Sequence, residues 1–213
     1  MKIVSVNVGL PRPVEWRGRR IMTGIFKEPV VGRIAVRRLN LAGDRQADLS
    51  VHGGVHKAVY VYPSEHYPFW RRELELADLP WGAFGENLTT ESWWEDEIHV
   101  GDRFRAGTAE FVVTQPRTPC FKLALKFDRD DVVDRFLESG RPGFYLAVTK
   151  EGELGAGDPF ERLHEDEHRV SVLDVANLYL HRHARPDPDL LRRAVEVEAL
   201  PEAWREHFRR RLG

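Results

Sequence analysis

The single cysteine of this chain, Cys120, is placed where a thiol could do chemistry. It lies in residues 115–122 (QPRTPCFK), which we expect at a strand end, after two prolines and between Arg117 and Lys122. Proline fixes the backbone φ angle near about −65°, and nearby cations favour the thiolate, the form that ligates metals and attacks electrophiles. A buried structural cysteine fits the same residues, since free cysteines are among the most buried residue types. The segment alone leaves both interpretations open.

A second segment, residues 43–57 (GDRQADLSVHGGVHK), is a polar loop before an apolar strand. Loops of this kind often line binding sites. His52 and His56 have the spacing of a zinc pair, but the two glycines between them disfavour the helix which that motif needs. The glycines better fit a loop whose backbone N–H groups approach an anion, with Lys57 as counter-charge. Solvated loop charges are the alternative.

A third segment, residues 82–88 (GAFGENL), pairs glycines with a carboxylate and an amide, although an ordinary turn would look the same. The chain has no GxxxxGK[ST] loop, no GxGxxG and no GxSxG. Nucleotide-cradling loops and serine hydrolases of the common kind therefore lack their defining residues here.

Composition narrows the class of protein. A chain of 213 residues with 42% hydrophobic residues has enough apolar material for one or two folded domains. A net charge of −2 argues against binding a nucleic acid polymer, which usually requires a basic surplus. One cysteine rules out an internal disulfide. We see no signal peptide and no apolar run long enough for a membrane span, so we expect a cytoplasmic protein.

The elements that must position these segments change in type along the chain. Short alternating runs such as residues 2–8 and 57–62 predict a mainly β region, closed as a barrel or sandwich. Helices are predicted near residues 64–75, where Pro68 delays the start, and near 128–139. Three helices follow from residue 170, each with a helix-start signal. We therefore divide the chain into a β domain, residues 1–165, and a helical module, residues 166–213.

Three segments together resemble one known family. Residues 52–67 (HGGVHKAVYVYPSEHY), 82–88 and 115–123 (QPRTPCFKL) are similar to the MOSC family (molybdenum cofactor sulfurase C-terminal domain), in its YiiM-like branch. The resemblance covers nearly the whole chain. It implies a mainly β fold, a MOSC-type β-barrel with a few helices, followed by a small C-terminal three-helix module.

The resemblance also implies a function. Such a protein would bind the molybdenum cofactor (Mo-molybdopterin), without pyridoxal phosphate, and reduce N-hydroxylated small molecules to amines or amides. These include hydroxylaminopurine-type base analogues, amidoximes and hydroxamic acids. Electrons would come from a separate flavin-containing protein; a homodimer is compatible, and neither nucleic acid nor membrane is implied as a partner. Two alternatives stay open: a carrier of the cofactor or of persulfide sulfur at Cys120 without turnover, and an anion-binding domain with an inert thiol.

Residue by residue, the resemblance implies that Cys120 is the catalytic residue and the metal ligand. It implies cofactor contacts from six further positions: Thr23, Lys27, His52, Lys57, Asn87 and Arg117. We expect Lys27, Lys57 and Arg117 to converge at one mouth of the barrel, because charge-assisted hydrogen bonds are the stronger kind available to hold a phosphate.

Overall fold

The computed structural model describes residues 1–48, 53–180 and 187–212. Within them the strands are β1 (Lys2–Val8), β2 (Arg12–Trp16), β3 (Arg19–Thr23), β4 (Glu28–Pro29), β5 (Arg33–Arg37), β6 (Asn40–Leu41), β7 (Val59–Pro63), β8 (Leu88–Glu91), β9 (Arg103–Ala106), β10 (Ala109–Pro116), β11 (Phe144–Lys150), β12 (Gly152–Gly155) and β13 (Phe160–His164). The helices are α1 (His66–Glu73), α2 (Phe121–Phe127), α3 (Val132–Glu138), α4 (Val172–Leu180), α5 (Pro188–Glu196) and α6 (Glu202–Leu212), with a 3₁₀ turn at Val55–Lys57.

An eight-stranded sheet organises the molecule, in the order β13-β9-β10-β11-β7-β8-β1-β4. Its neighbours pair antiparallel, except β7 and β8, which run parallel with Val61 opposite Leu88. A smaller sheet, β12-β5-β6, and a hairpin, β2-β3, accompany it. The mainly β class with C-terminal helices is therefore confirmed.

The predicted closed barrel needs correction. In the part of the chain that the structure describes, the strand ladders form an open sheet with β13 and β4 at its edges. The two ends approach each other, because an isolated bridge joins Lys2 to Pro159 and the Ile3 N–H donates to the Asp158 carbonyl at 3.0 Å. The Phe160 N–H also donates to the Met1 carbonyl, at 3.4 Å, so β1 meets the start of β13 through a single bridge rather than a full ladder.

Strand β7 shows how the sheet separates two cores. Successive side chains of a strand point to opposite faces. Val59 and Val61 join the larger core, which also contains buried side chains of α4, α5 and α6. Tyr60 and Tyr62 join a second, aromatic core with α1, α2 and α3. The KAVYVY segment of the sequence therefore packs on both faces.

The C-terminal helices begin as their sequences indicate. Ser171 and Asp174 cap each other's backbone N–H groups, both at 3.0 Å. Asp187 caps α5 by accepting from the Asp189 N–H at 2.9 Å. Since Phe208 and other buried side chains of the module lie in the same core as the sheet, the boundary at residues 165 and 166 stays a prediction. No helix among the described residues has both the length and the apolar character to cross a bilayer.

Helix α1 begins at His66, as the position of Pro68 indicated. Residues 97–100 form no strand, and His99 makes an isolated bridge to Ser171. In strand β13, Phe160 is buried in the core and the other side chains are exposed.

Candidate functional site

One pocket gathers most of the residues that the sequence singled out. It encloses about 650 Å³ of empty space beside the ends of β3, β7 and β10. The predicted site residues that line it are Thr23, Lys27, Lys57, Asn87, Arg117 and Cys120. His52 lies outside the described residues. The roles of all seven stay predictions, but six of them share one cavity.

Cys120 reaches this pocket from a loop and a helix start. Strand β10 ends at Pro116, and Cys120 has an extended backbone, φ −135° and ψ 174°, immediately before α2. The segment 115–122 therefore lies at a strand end, as expected, and residues 117–119 separate the strand from Cys120. Helix α2, which the sequence analysis missed, begins with the Leu123 N–H donating to the Cys120 carbonyl at 2.8 Å. Cys120 is half-buried and lines the cavity, unlike a core cysteine.

Arg117 is a buried cation close to this thiol. Its guanidinium carbon lies 5.0 Å from the Tyr60 ring centroid and 5.1 Å from that of Phe136. Burial acts to lower the pKa of Arg117, but Tyr60, Tyr145 and Cys120 raise it above its ordinary value. Among the residues that the structure describes, its buried Nη1 has no hydrogen-bond partner. Buried donors are normally satisfied, so this nitrogen is available to a ligand.

We expected Lys27 to be available to an anionic ligand, but the structure pairs it with a carboxylate. It forms a buried ion pair with Asp44, whose Oδ1 also accepts from the Gly9 N–H at 3.0 Å. Burial lowers the pKa of Lys27, and the Coulomb attraction of Asp44 and Glu86 opposes that shift. Asp44 Oδ2 is buried without a partner. The charge of Lys27 is therefore largely balanced within the protein.

The pocket nevertheless has a positive surplus. Lys57 follows the turn at Gly54, which has a φ of 92° that glycine adopts easily, and burial lowers the pKa of Lys57. Lys122, which the site prediction omitted although it flanks the cysteine, also lines the cavity. Among the described residues, the charged side chains that line the cavity are five cations and one carboxylate: Lys27, Arg45, Lys57, Arg117, Lys122 and Asp44. An anion is the complementary ligand.

Asn87 and Thr23 contact the protein's own backbone. Asn87 Oδ1 accepts from the Tyr60 N–H at 3.1 Å, and its Nδ2 donates to the Asn7 carbonyl at 3.3 Å. Thr23 Oγ1 accepts from the Ile25 N–H at 3.2 Å. These hydrogen bonds to the backbone fix the walls of the pocket.

Glu86, which the sequence analysis did not single out, organises the 82–88 segment. Its carboxylate accepts from the N–H groups of Gly82 at 2.8 Å and Phe84 at 3.1 Å and from Thr89 Oγ1 at 2.9 Å. Burial raises the pKa of Glu86. Gly85 has a φ of 78°, and a Cβ there would lie 2.9 Å from Ile25 Cγ1. Residues 82–88 thus form a turn around the Glu86 carboxylate, and Phe84 and Gly85 of this turn line the pocket.

The residues present suit an anionic, metal-containing cofactor. A half-exposed thiol supplies one soft ligand, and the surrounding cations suit a phosphate. Among residues 1–48, 53–180 and 187–212, no group of three or more His, Cys, Asp or Glu side chains could hold a metal ion together. Within those ranges, Cys120 is the soft ligand that lines the pocket.

Comparison with known proteins places the chain in a family. Residues 48–161 match the model of the MOSC domain, and residues 170–212 match that of the YiiM-like, 3-alpha helix domain. The uncharacterized protein YflK of Bacillus subtilis is 41% identical over 97% of this chain and 92% of its own length. Protein YiiM of Escherichia coli is 35% identical over 89% of this chain and 84% of its own length.

Two further comparisons extend this result. A protein of Gibberella moniliformis named reductase is 34% identical over 74% of this chain, which corresponds to 28% of that protein. The crystal structure of YiiM from Geobacillus stearothermophilus superposes with a TM-score of 0.81 at 33% identity, covering 100% of this chain and 99% of that one. The chain belongs to the MOSC family, with a YiiM-like three-helix domain following its MOSC domain.

Proposed function

We propose that this protein is a molybdenum cofactor-dependent reductase of N-hydroxylated small molecules. The observation that supports this most directly is the shared pocket, in which the half-buried thiol of Cys120 lies among five basic side chains. A family that includes a protein named reductase supports the enzymatic part of the proposal. The carrier function is the alternative, because a half-exposed thiol could also hold the cofactor or a persulfide without turnover.

Different pocket residues would hold different parts of the cofactor. Cys120 would give its thiolate to the metal, since soft ligands suit metals with other sulfur ligands. Arg117, Lys57 and Lys122 would place positive charge around the phosphate. Asp44 would keep Lys27 in place, and Asn87 would hold β7 against the end of β1.

The reaction requires a supply of electrons and protons. When bound, the cofactor would supply the two electrons that cleave an N–O bond, so that R–NHOH, two electrons and two protons give R–NH₂ and water. A separate flavin-containing protein would replenish those electrons. Lys57 is suited to deliver a proton from Nζ, because burial lowers its pKa, whereas an arginine stays protonated.

The test combines metal content with turnover. The protein is produced in a host that makes the cofactor, and its molybdenum is measured by mass spectrometry. A single-turnover reduction of 6-hydroxylaminopurine or benzamidoxime with reduced viologen follows, with Cys120→Ser as control. Molybdenum with amine formation supports the reductase. Molybdenum without amine formation favours the carrier, and absence of molybdenum overturns both.

A further inference from the structure

A second pocket lies on the other side of the loop that carries Cys120. It encloses about 570 Å³ between residues 116–119, the end of α3, and helices α4 and α6. Its walls are mainly apolar: Phe136, Leu137, Leu173, Leu180 and Trp204. The C-terminal helices therefore supply one wall of a cavity whose opposite wall comes from the β domain. A mostly apolar concave pocket with few polar groups is the usual form of a small-molecule site.

Arg117 belongs to both pockets. Its guanidinium lies between Tyr60, which lines the first pocket, and Phe136, which lines the second. The side chain is buried, with only 8% of the residue exposed, and within the described part of the chain its Nη1 has no hydrogen-bond partner. A buried, charged donor without a partner is costly unless a ligand satisfies it.

The charges of the second pocket favour an anion with a flat apolar body. Arg141 contributes a second cation, although it already donates to the Ser139 carbonyl at 2.6 Å and lies over the Phe69 ring at 4.1 Å. Glu138 is the carboxylate of the lining, and it is exposed to solvent. Desolvated charge therefore comes mainly from Arg117, whereas the half-buried ring of Trp204 offers an apolar surface for the flat body of the ligand.

We propose that this second pocket binds a small aromatic monocarboxylate, with the carboxylate at Arg117 and the ring between the apolar walls. The site shares Arg117 and Thr118 with the cofactor pocket, but its ligand would bind without the cofactor, so this proposal does not depend on the proposed function. Because Arg117 and Thr118 line both cavities and lie between Pro116 and Pro119, a bound ligand would also change the environment of Cys120. Occupancy of the second pocket should therefore alter the rate at which Cys120 reacts with a thiol reagent.

The probe for this site is 2-naphthoate, titrated calorimetrically into the purified chain. Its neutral counterpart, 2-naphthalenemethanol, should bind about tenfold or more weakly, because it lacks the charge-assisted hydrogen bond to Arg117. Leu173→Trp should fill the cavity and abolish binding. Leu163→Trp, on β13 and 42% exposed, is the matched control and should bind 2-naphthoate normally. If Leu173→Trp does not fold, Leu137→Trp fills the cavity from α3 instead.

The rate of Cys120 labelling by a chromogenic disulfide reagent gives a second measurement that needs no cofactor. Saturating 2-naphthoate should change this rate in the wild type and in Leu163→Trp but not in the cavity-filled variant. The proposal is overturned by equal binding of the acid and the alcohol, by unchanged binding in the cavity-filled variants, or by the absence of saturable binding. Loss of binding in Lys122→Ala but not in Leu173→Trp would place the ligand in the first pocket and overturn it as well.

Discussion

Lys27 and Asp44 form an ion pair in which 8% and 1% of the two side chains are exposed. The pair lies in the wall of the cavity that Cys120 lines. Two charges removed from water stabilise each other only while both are present, because either one alone would be desolvated with no opposite charge beside it. The pair is therefore a support for the pocket, and its charges are poor competitors for a ligand.

Removing one member of this pair should destabilise the protein. We expect Asp44→Asn and Lys27→Met each to lower the free energy of unfolding by about 3–5 kcal/mol, because each leaves a buried charge unpaired. The double variant Lys27→Met/Asp44→Leu should lose less than the sum of the two. Urea unfolding of the three variants measures this coupling, and strictly additive losses would contradict it.

Lys57 should contribute to anion binding without contributing much to the fold. Lys57→Ala should weaken retention of the cofactor, or of inorganic phosphate in its absence, by about 1.5–3 kcal/mol for a charged hydrogen bond lost. Lys150→Ala is the control, since 63% of that side chain is exposed outside the pocket. Isothermal titration with phosphate provides the measurement. Equal weakening in both variants would indicate a general charge effect rather than a site.

The sequence predicts the elements of this fold better than it predicts the environment of each polar group. Period-two alternation correctly locates β1 and β7, and the helix-start signals at Ser171 and Asp187 correctly locate α4 and α5. Those signals are local. The pairing of Lys27 with Asp44 is not, because seventeen residues separate them and only the fold brings them together.

Other features escaped prediction for similar reasons. Helix α2 is only seven residues long and follows a proline-rich segment, so its pattern is too short to recognise. Glu86 reads as a polar loop residue, and its burial depends on the four groups that donate to it. The single bridge between Lys2 and Pro159 also joins residues far apart in the sequence, so no local pattern indicates it.

Glu86 should make stability depend on pH. Burial raises its pKa above the ordinary value of 4.5, so the folded protein binds a proton more tightly than the unfolded chain does. The stabilisation from this group is therefore complete below about pH 4.5 and is lost as the pH rises through the folded-state pKa. The advantage of the wild type over Glu86→Gln should accordingly be larger at about pH 4 than at about pH 8. Urea unfolding at both pH values measures this difference in stability. A wild-type advantage that grows with pH would contradict the prediction.

Phe208 should stabilise the whole molecule and not the C-terminal helices alone. It is fully buried in the same core as strands β7 and β10. Phe208→Ala should cost about 3–5 kcal/mol through lost burial and the cavity left behind, whereas Leu212→Ala, at a residue 39% exposed, should cost little. Thermal unfolding followed by circular dichroism should show one transition at lower temperature. A second, independent transition would show that the helices unfold as a separate domain.

Cys120→Ser should separate the chemistry of the thiol from its structural role. Exchanging sulfur for oxygen removes the soft ligand with little change in volume. Because Cys120 is half-buried and outside both cores, the free energy of unfolding should change by less than about 1 kcal/mol, as for most substitutions away from the core. Protein from a cofactor-producing host should then contain no molybdenum and reduce no hydroxylamine. A folded Ser variant that keeps wild-type metal content and turnover would remove Cys120 from the site, and an unfolded one would assign the thiol a structural role.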